Sequence, residues 1–383
     1  QKKSANTCSV SGCCGTIILG PGSLHVIVGK INIIQYHITV VFHSDAILII
    51  WDVIKPHSKG APKYEFIFAI IPGSEYDTLS QEMWDRFVKS QQTEETFRKK
   101  MNLWRYLYIT IKSIFPRYGL YVVGSTMSGF GLETSDMDLC LYVRALDHVE
   151  PRAHALLHLN YILGYIRSFD PELIQAKVPI LKFRDARNGL QVDLNCNNVV
   201  GIKNTNLLHC FSRMDWRVRP LVVLTKLWAQ AHNINDARRS SLSSYSLTLM
   251  VIHFLQCDVR HESPLPAGGT SPAVVGAGGG RRRPLGELFV QLLRYYARFP
   301  YARCAVSVRA AARLPLAGCR AARACKNDPH QWKLLCVEEP FDLTNTARSV
   351  YDPETFEKIV ETFRVSSERL AAGLLPQVGS SRS

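Results

Sequence analysis

No run of apolar residues in this 383-residue chain approaches the ~18 that a membrane-crossing helix needs. No Cys-x-x-Cys pair occurs among the eleven cysteines, and the cluster Cys8, Cys13, Cys14 has no matching second half. Scattered thiols in odd number fit neither a disulfide framework nor a zinc site, so reduced cysteines are expected. Acid is scarce beside base: 32 Asp and Glu face 46 Lys and Arg, a formal charge of +14. That imbalance favours a polyanionic partner, nucleic acid before an anionic membrane surface, although a basic surface serving only solubility has the same composition. "TIILGPG" breaks too early for a secretory leader. Internal repeats, an RNP motif and a zinc knuckle are missing as well. These absences predict a soluble intracellular protein that engages no membrane.

What is present is enough to build a substantial core, with 46% of residues hydrophobic and length for two or three ordinary domains. Residues 1–75 are apolar and β-branched ("INIIQYHITVVFHSDAILIIWDVI") but show no clean period of 2 or 3.6, which leaves 1–78 an unassigned arm. From Leu79 the pattern becomes organised. One or two amphipathic helices are expected over 80–114, stopped by Pro116 and packing on a later helical domain. "LYVVG", "DMDLCLYV", "AKVPILKFRD" and "LQVDLNCNN" read as strands, with a short helix at Gly124-Ser125 and a longer one around 147–168. After Asn204 the text turns helical through "RVRPLVVLTKLWAQAHNI", "SLSSYSLTLMVIHFLQ" and "LGELFVQLLRYYARF". A Gly/Pro-rich insert spans 258–284, and "PETFEKIVETFRVSSERLAAG" closes the chain before a tail at 376–383. Residues 281–326 hold eleven Lys or Arg against the single acid Glu287, an RNA track or simply solvated surface. The expected fold class is α+β, a small mixed-sheet domain over 79–205 joined to a mainly helical domain over 206–375.

The chemistry gathers in "VVGSTMSGFGLETSDMDLCLYV", residues 122–143. Residues i and i+2 of a strand share a face, so Asp136 and Asp138 would set two carboxylates side by side. Such a pair repels unless strong positive charge sits between, and a divalent ion is the obvious candidate. Gly124-Ser125 offers backbone N–H groups and a hydroxyl suited to phosphate oxygens. Asp193 in "VDLN" points opposite to Val192 and Leu194 and would supply a third carboxylate from another strand. Together these suit two-metal phosphoryl transfer. "GFGLET" lacks the third glycine of a dinucleotide fingerprint. His154 and His158, spaced i and i+4, could hold a metal but read better as a helix-surface pair without a third ligand.

This pattern resembles the DNA polymerase β-like nucleotidyltransferase superfamily. "AKVPILKFRD", "VDLNCNNVVGIKNT", "RPLVVLTKLWA", "SSYSLTLMV" and "CVEEPFDLTNTARSV" are similar to the germline-development (Gld) type of cytoplasmic poly(A) polymerase, in the family's order and over roughly 79–256 and 285–375. The resemblance implies a nucleotidyltransferase domain followed by a poly(A) polymerase-associated helical domain. It also implies that Asp136, Asp138 and Asp193 hold Mg²⁺ or Mn²⁺ and act as the catalytic residues. Gly124 and Ser125 would meet the triphosphate, Asn204 and Thr205 the ribose, and Lys226 and Ser244 the phosphates. Tyr245 would stack on the base, and Glu339 and Asp342 would lie near its edge. Gln230 stands where some relatives carry a second phosphate-binding lysine. Thr344 stands where uridylyltransferases of this group carry a histidine, and the smaller side chain leaves room for adenine. The expectation is therefore ATP-dependent addition of AMP to RNA 3′ ends. Targets would be supplied by partner RNA-binding proteins, in a cytoplasmic protein that could also enter the nucleus. A terminal uridylyltransferase and a non-catalytic RNA-binding scaffold of the same fold remain the alternatives.

Overall fold

The computed structural model describes three strands between residues 27 and 52, and then residues 74–144, 150–176, 178–257, 283–324 and 326–373. The insert at 258–282, the tail and the cluster of Cys8, Cys13 and Cys14 lie outside these residues. The chain divides into two compact units, residues 1–69 and 70–383.

In the first unit β1 (Ile27–Ile33), β2 (Tyr36–His43) and β3 (Ala46–Asp52) form an antiparallel meander, with Ile31 opposite Ile38 and Ile38 opposite Trp51. The sequence reading had found no element here. β-Branched residues supply strand preference without the alternation that marks a half-buried strand.

The second unit begins with α1 (Asp77–Ser90) and α2 (Glu94–Ile114), separated by a break at 91–93. Thr93 caps α2 by accepting from the Thr96 N–H, with Glu94 and Glu95 in the first turn. The helix ends just ahead of Pro116. The break matters, because the two helices serve different cores. Leu79, Met83 and Phe87 of α1 are buried in the helical cluster, whereas Leu103, Leu107 and Ile111 of α2 are buried against the sheet.

Next come β4 (Gly119–Val123), the short α3 (Ser125–Ser128), β5 (Met137–Tyr142), α4 (Pro151–Tyr165), β6 (Glu172–Ile174), β7 (Ile180–Arg184) and β8 (Gln191–Cys196). The five strands form one sheet in the order β4-β5-β8-β7-β6, parallel between β5 and β8 and antiparallel elsewhere. Met137, Leu139, Leu141, Leu181, Phe183, Val192 and Leu194 form one face, buried with α2 and α4 side chains. Each such aliphatic chain contributes ~1.5–3 kcal/mol relative to exposure, so the register of these strands is strongly held.

The remainder is mainly helical: α5 (Val199–Met214), α6 (Val218–Ala231), α7 (Ser244–Cys257), α8 (Leu285–Ala297), α9 (Leu316–Ala321) and α10 (Pro353–Ala371). Between α8 and α9 stands a hairpin of β9 (Cys304–Ser307) and β10 (Ala312–Pro315) that the Ala/Arg-rich sequence did not suggest. Val306 is its anchor, accepting from Glu338 and donating to Cys336 so that the 336–338 segment pairs along β9. Much of the local arginine is structural: Arg309 pairs with Glu338, Arg320 donates to the Trp332 carbonyl, and Arg313 lies over the Tyr295 ring. Among the described residues the cysteines are free thiols, and no helix is long and apolar enough to cross a membrane.

Candidate active site

Pairing between β5 and β8 sets Asp138 directly beside Asp193, and pairing between β8 and β7 sets Lys182 beside Asp193. Alternation puts this row of Asp138, Asp193 and Lys182 on the face opposite the buried aliphatics. Lys182 Nζ donates to both Asp193 oxygens, at 2.6 and 2.8 Å. Asp136 does not share the strand; it stands exposed one residue before β5 begins. The turn that carries it is held instead by side chains. Lys100, fully buried on α2, donates to Ser135 O at 2.7 Å and Gln92 Oε1 at 2.9 Å. Glu133 accepts from the Thr93 N–H and from the Thr96 hydroxyl.

Gly124 closes the site from the β4 side. Its φ is +72°, and a Cβ there would lie 2.2 Å from Asp138 Oδ2, so both backbone and space demand glycine. Its N–H donates to Thr205 Oγ1 at 2.9 Å, while the same hydroxyl donates to Gly201 O at 2.7 Å. Thr205, expected at a ribose, is thus buried and occupied in latching α5 to the Gly124 turn. Its neighbour Asn204 keeps a buried Oδ1 without a hydrogen-bond partner. Ser125 opens α3 next to Gly124 and is half-buried.

Charge at this end is under strain. Burial, then the neighbouring Asp193 and Asp136 carboxylates, push Asp138 up to about 7, while Lys100 and Lys182 pull the other way. Burial lowers Lys226 to about 8 against the attraction of Asp138. Lys226 donates to Phe130 O at 3.0 Å and is 5% exposed, so one of its three donors is already used. Burial also lowers Lys100, opposed by Asp138, Asp136 and Glu133. Crowded hard oxygen donors short of positive charge are chemically suited to a divalent ion. Yet among the described residues no three Asp, Glu, His or Cys side chains converge closely enough to hold a metal as they stand. Of the three expected ligands, Asp193 is engaged by Lys182 and Asp136 lies off the strand.

At the other end Tyr245, Glu339, Asp342 and Thr344 come together from α7 and the loop after the 336–338 segment. Tyr245 OH donates to Glu339 Oε1 at 3.2 Å, and Glu339 Oε2 accepts the Phe341 N–H at 2.7 Å. Thr344 Oγ1 donates to Asp342 Oδ1 at 2.7 Å. Leu343, at φ +57°, makes the turn, and buried Asn345 ties the loop down by accepting from Val337 and Ala347 and donating to Leu335 and Gln331. Thr344 is buried with its hydroxyl committed to Asp342, so it offers its surroundings its size and the aim of Asp342 rather than a free hydroxyl. Ser244 donates to Asn235 Oδ1 at 3.1 Å. Lys203 lies 5.9 Å from the Phe341 ring centroid, joining α5 to the loop. The histidine pair belongs to neither end: His154 is buried rather than on the helix surface, with His158 Nε2 3.2 Å away and Tyr118 OH on the far nitrogen of His158.

Sequence reasoning overlooked Lys100 and Lys182. Both carried a signal. Lys100 falls in the buried stripe of α2 with Thr96, Leu103, Leu107 and Ile111, and Lys182 alternates with buried Leu181 and Phe183.

A mixed sheet bearing a strand-paired aspartate couple under a Gly-Ser turn, joined to a helical domain that carries an aromatic and a carboxylate loop, defines a nucleotidyltransferase with a poly(A) polymerase-associated domain. Residues 79–213 match the family described as "Poly(A) RNA polymerase, mitochondrial-like, central palm domain", and residues 284–345 match "Cid1 family poly A polymerase". A solved GLD-2/RNP-8 complex superposes with TM-score 0.65 at 39% identity, covering 78% of this chain and 96% of that one. A Cid1 poly(U) polymerase also superposes at 0.65, with 25% identity over 77% of this chain and 95% of that one. Among curated relatives, the poly(A) RNA polymerase gld-2 homolog A of Drosophila melanogaster is 45% identical over 78% of this chain, and GLD2 of Danio rerio is 40% identical over 79%. The chain belongs to the GLD-2 family of poly(A) RNA polymerases. It spans 23% of the length of the Drosophila relative and 64% of the Danio relative.

Proposed function

We propose that the chain carries the catalytic part of an enzyme that transfers AMP from ATP to the 3′-OH of RNA and releases pyrophosphate. One observation carries this reading: Asp138 and Asp193 stand side by side in register, against a glycine whose missing Cβ makes room for Asp138. Asp136, Asp138 and Asp193 would hold Mg²⁺ or Mn²⁺. When bound, such ions supply positive charge that favours the alkoxide of the attacking hydroxyl and offsets charge on the leaving oxygen.

The chain's own residues have separable roles. Gly124 shapes the turn, its N–H held by Thr205, so that Ser125 would offer its hydroxyl to phosphate oxygens. Lys226 adds a desolvated point charge near the site of phosphoryl transfer, where low dielectric strengthens its pull. The buried Asn204 Oδ1, without a hydrogen-bond partner, supports a role as acceptor for a ribose hydroxyl. Tyr245 offers a face worth ~1–3 kcal/mol of stacking to any base. Glu339, Asp342 and the small Thr344 favour the adenine edge by acceptor placement and room. RNA-binding proteins that select targets are part of the same reading; relatives in this family were solved as complexes with RNP-8 and with GLD-3.

Extension of a labelled RNA oligonucleotide with each nucleoside triphosphate separately, in Mg²⁺, tests the proposal. Extension with ATP, lost in Asp138→Asn, is the expected result. Extension with UTP alone would replace the adenylyl reading by a uridylyl one. RNA binding with no extension under any nucleotide would leave a scaffold.

A further inference from the structure

The row across the sheet contains a residue that the proposed chemistry does not use. Lys182 stands opposite Asp193 by strand register, its neighbours Leu181 and Phe183 are buried in the core, and its head group reaches both carboxylate oxygens. This is not a loose surface pair: the side chains of Lys182 and Asp193 are 25% and 21% exposed. Without Lys182, Asp138 and Asp193 would stand side by side with Lys100 and Lys226 nearby, both engaged elsewhere. A divalent ion that takes Asp193 as a ligand must share that carboxylate with the Lys182 ammonium, which already holds one lone pair on each oxygen, and the two cations repel at that distance.

We propose that Lys182 is a positioning residue that serves as a resident countercharge, holding Asp193 while no divalent ion is bound and yielding it when one arrives. It thereby sets the metal affinity of the site. The inference rests on the reading of the aspartates as metal ligands. It makes metal loading a switch between two pairings of Asp193, Lys182 in one and a cation in the other.

The test uses the full chain, Mn²⁺ alone as probe, and free Mn²⁺ followed by electron paramagnetic resonance, with thermal melting in chelator and in Mn²⁺ alongside. Lys182→Met is expected to bind Mn²⁺ about tenfold more tightly, the scale of one nearby unit charge removed in a partly wet site. It should melt lower than the parent in chelator and gain more from Mn²⁺. Lys182→Arg, which keeps the charge, should stay near the parent. Lys182→Gln repeats the measurement if the methionine variant does not fold. Unchanged or weaker Mn²⁺ binding by the neutral variants, while the parent binds Mn²⁺ and Asp138→Asn does not, would overturn the role of Lys182 alone. Absence of any Mn²⁺ binding that Asp138→Asn abolishes would overturn the metal site itself and the inference with it.

Discussion

At the acidic end of the site the functional side chains stand where the hydrogen-bond register of β4, β5, β8 and β7 puts them, with Asp138, Asp193 and Lys182 in one row. At the proposed base end Tyr245 of α7 and the loop residues Glu339, Asp342 and Thr344 are held by one another and by Asn345. The first arrangement is rigid because slipping one strand would turn an aliphatic face out of the core. The second is held by local contacts instead: Glu339 accepts the Phe341 N–H and Asn345 the Val337 and Ala347 N–H groups, so no strand register fixes it. The strand-held row thus suits the proposed metal site, and the loop suits the proposed choice of base.

The largest effect should come from the rigid end. Asp138→Asn is expected to cut RNA extension by at least ~10³-fold, while raising thermal stability by about 1–2 kcal/mol in chelator because a buried, repelled charge is gone. A loss of stability instead would mean that Asp138 is well compensated without metal. Gly124→Ala comes next: strain at φ +72° and collision with Asp138 should cost ~2–3 kcal/mol and about 10²-fold in kcat. At the base end, Tyr245→Ala should raise the KM for ATP ~10–100-fold through lost stacking, with a much smaller change from Tyr245→Phe. A kcat effect larger than the KM effect would erase the division between the two ends. Thr344→His should shift the ATP/UTP preference by about tenfold toward UTP, with overall extension largely kept.

The smallest effect concerns the helical core. His253 on α7 is sealed between the Ser307 carbonyl and Tyr295 OH, with Arg313 and Cys257 nearby, and burial holds it down to about 4. Its unfolded value is higher, so the unfolded chain binds the extra proton first as pH falls. Stability is full above about 6.5 and is lost progressively toward 4, by about 1 kcal/mol from pH 6.5 to 5.5. Denaturant melts of the parent and His253→Gln at these two pH values should differ in slope by that amount.

The elements around the site were legible because their patterns are local. "LYVVG", "DMDLCLYV" and "LQVDLNCNN" carry strand periodicity and a turn glycine, and both core strands fall inside those stretches. The β9–β10 hairpin was not legible, since its alanines and arginines have no strand preference and it exists by pairing with residues 336–338, some thirty positions on. Two helices over this stretch were allowed by the sequence, but their assignment to different cores was equally hidden.

Within the site, chain order alone determined which residue types were available: two aspartates around Met137, a third in "VDLN", a glycine before Ser125, and a threonine at 344. Only the tertiary structure decided how they are used. It placed Asp136 off the strand, gave Thr205 to the Gly124 turn, buried Lys100 beneath the acidic turn, and set Lys182 on Asp193. The physical reason is distance along the chain. Residue type and local period are written within a few positions, whereas the partner of a carboxylate is chosen by strands and helices that meet only after folding.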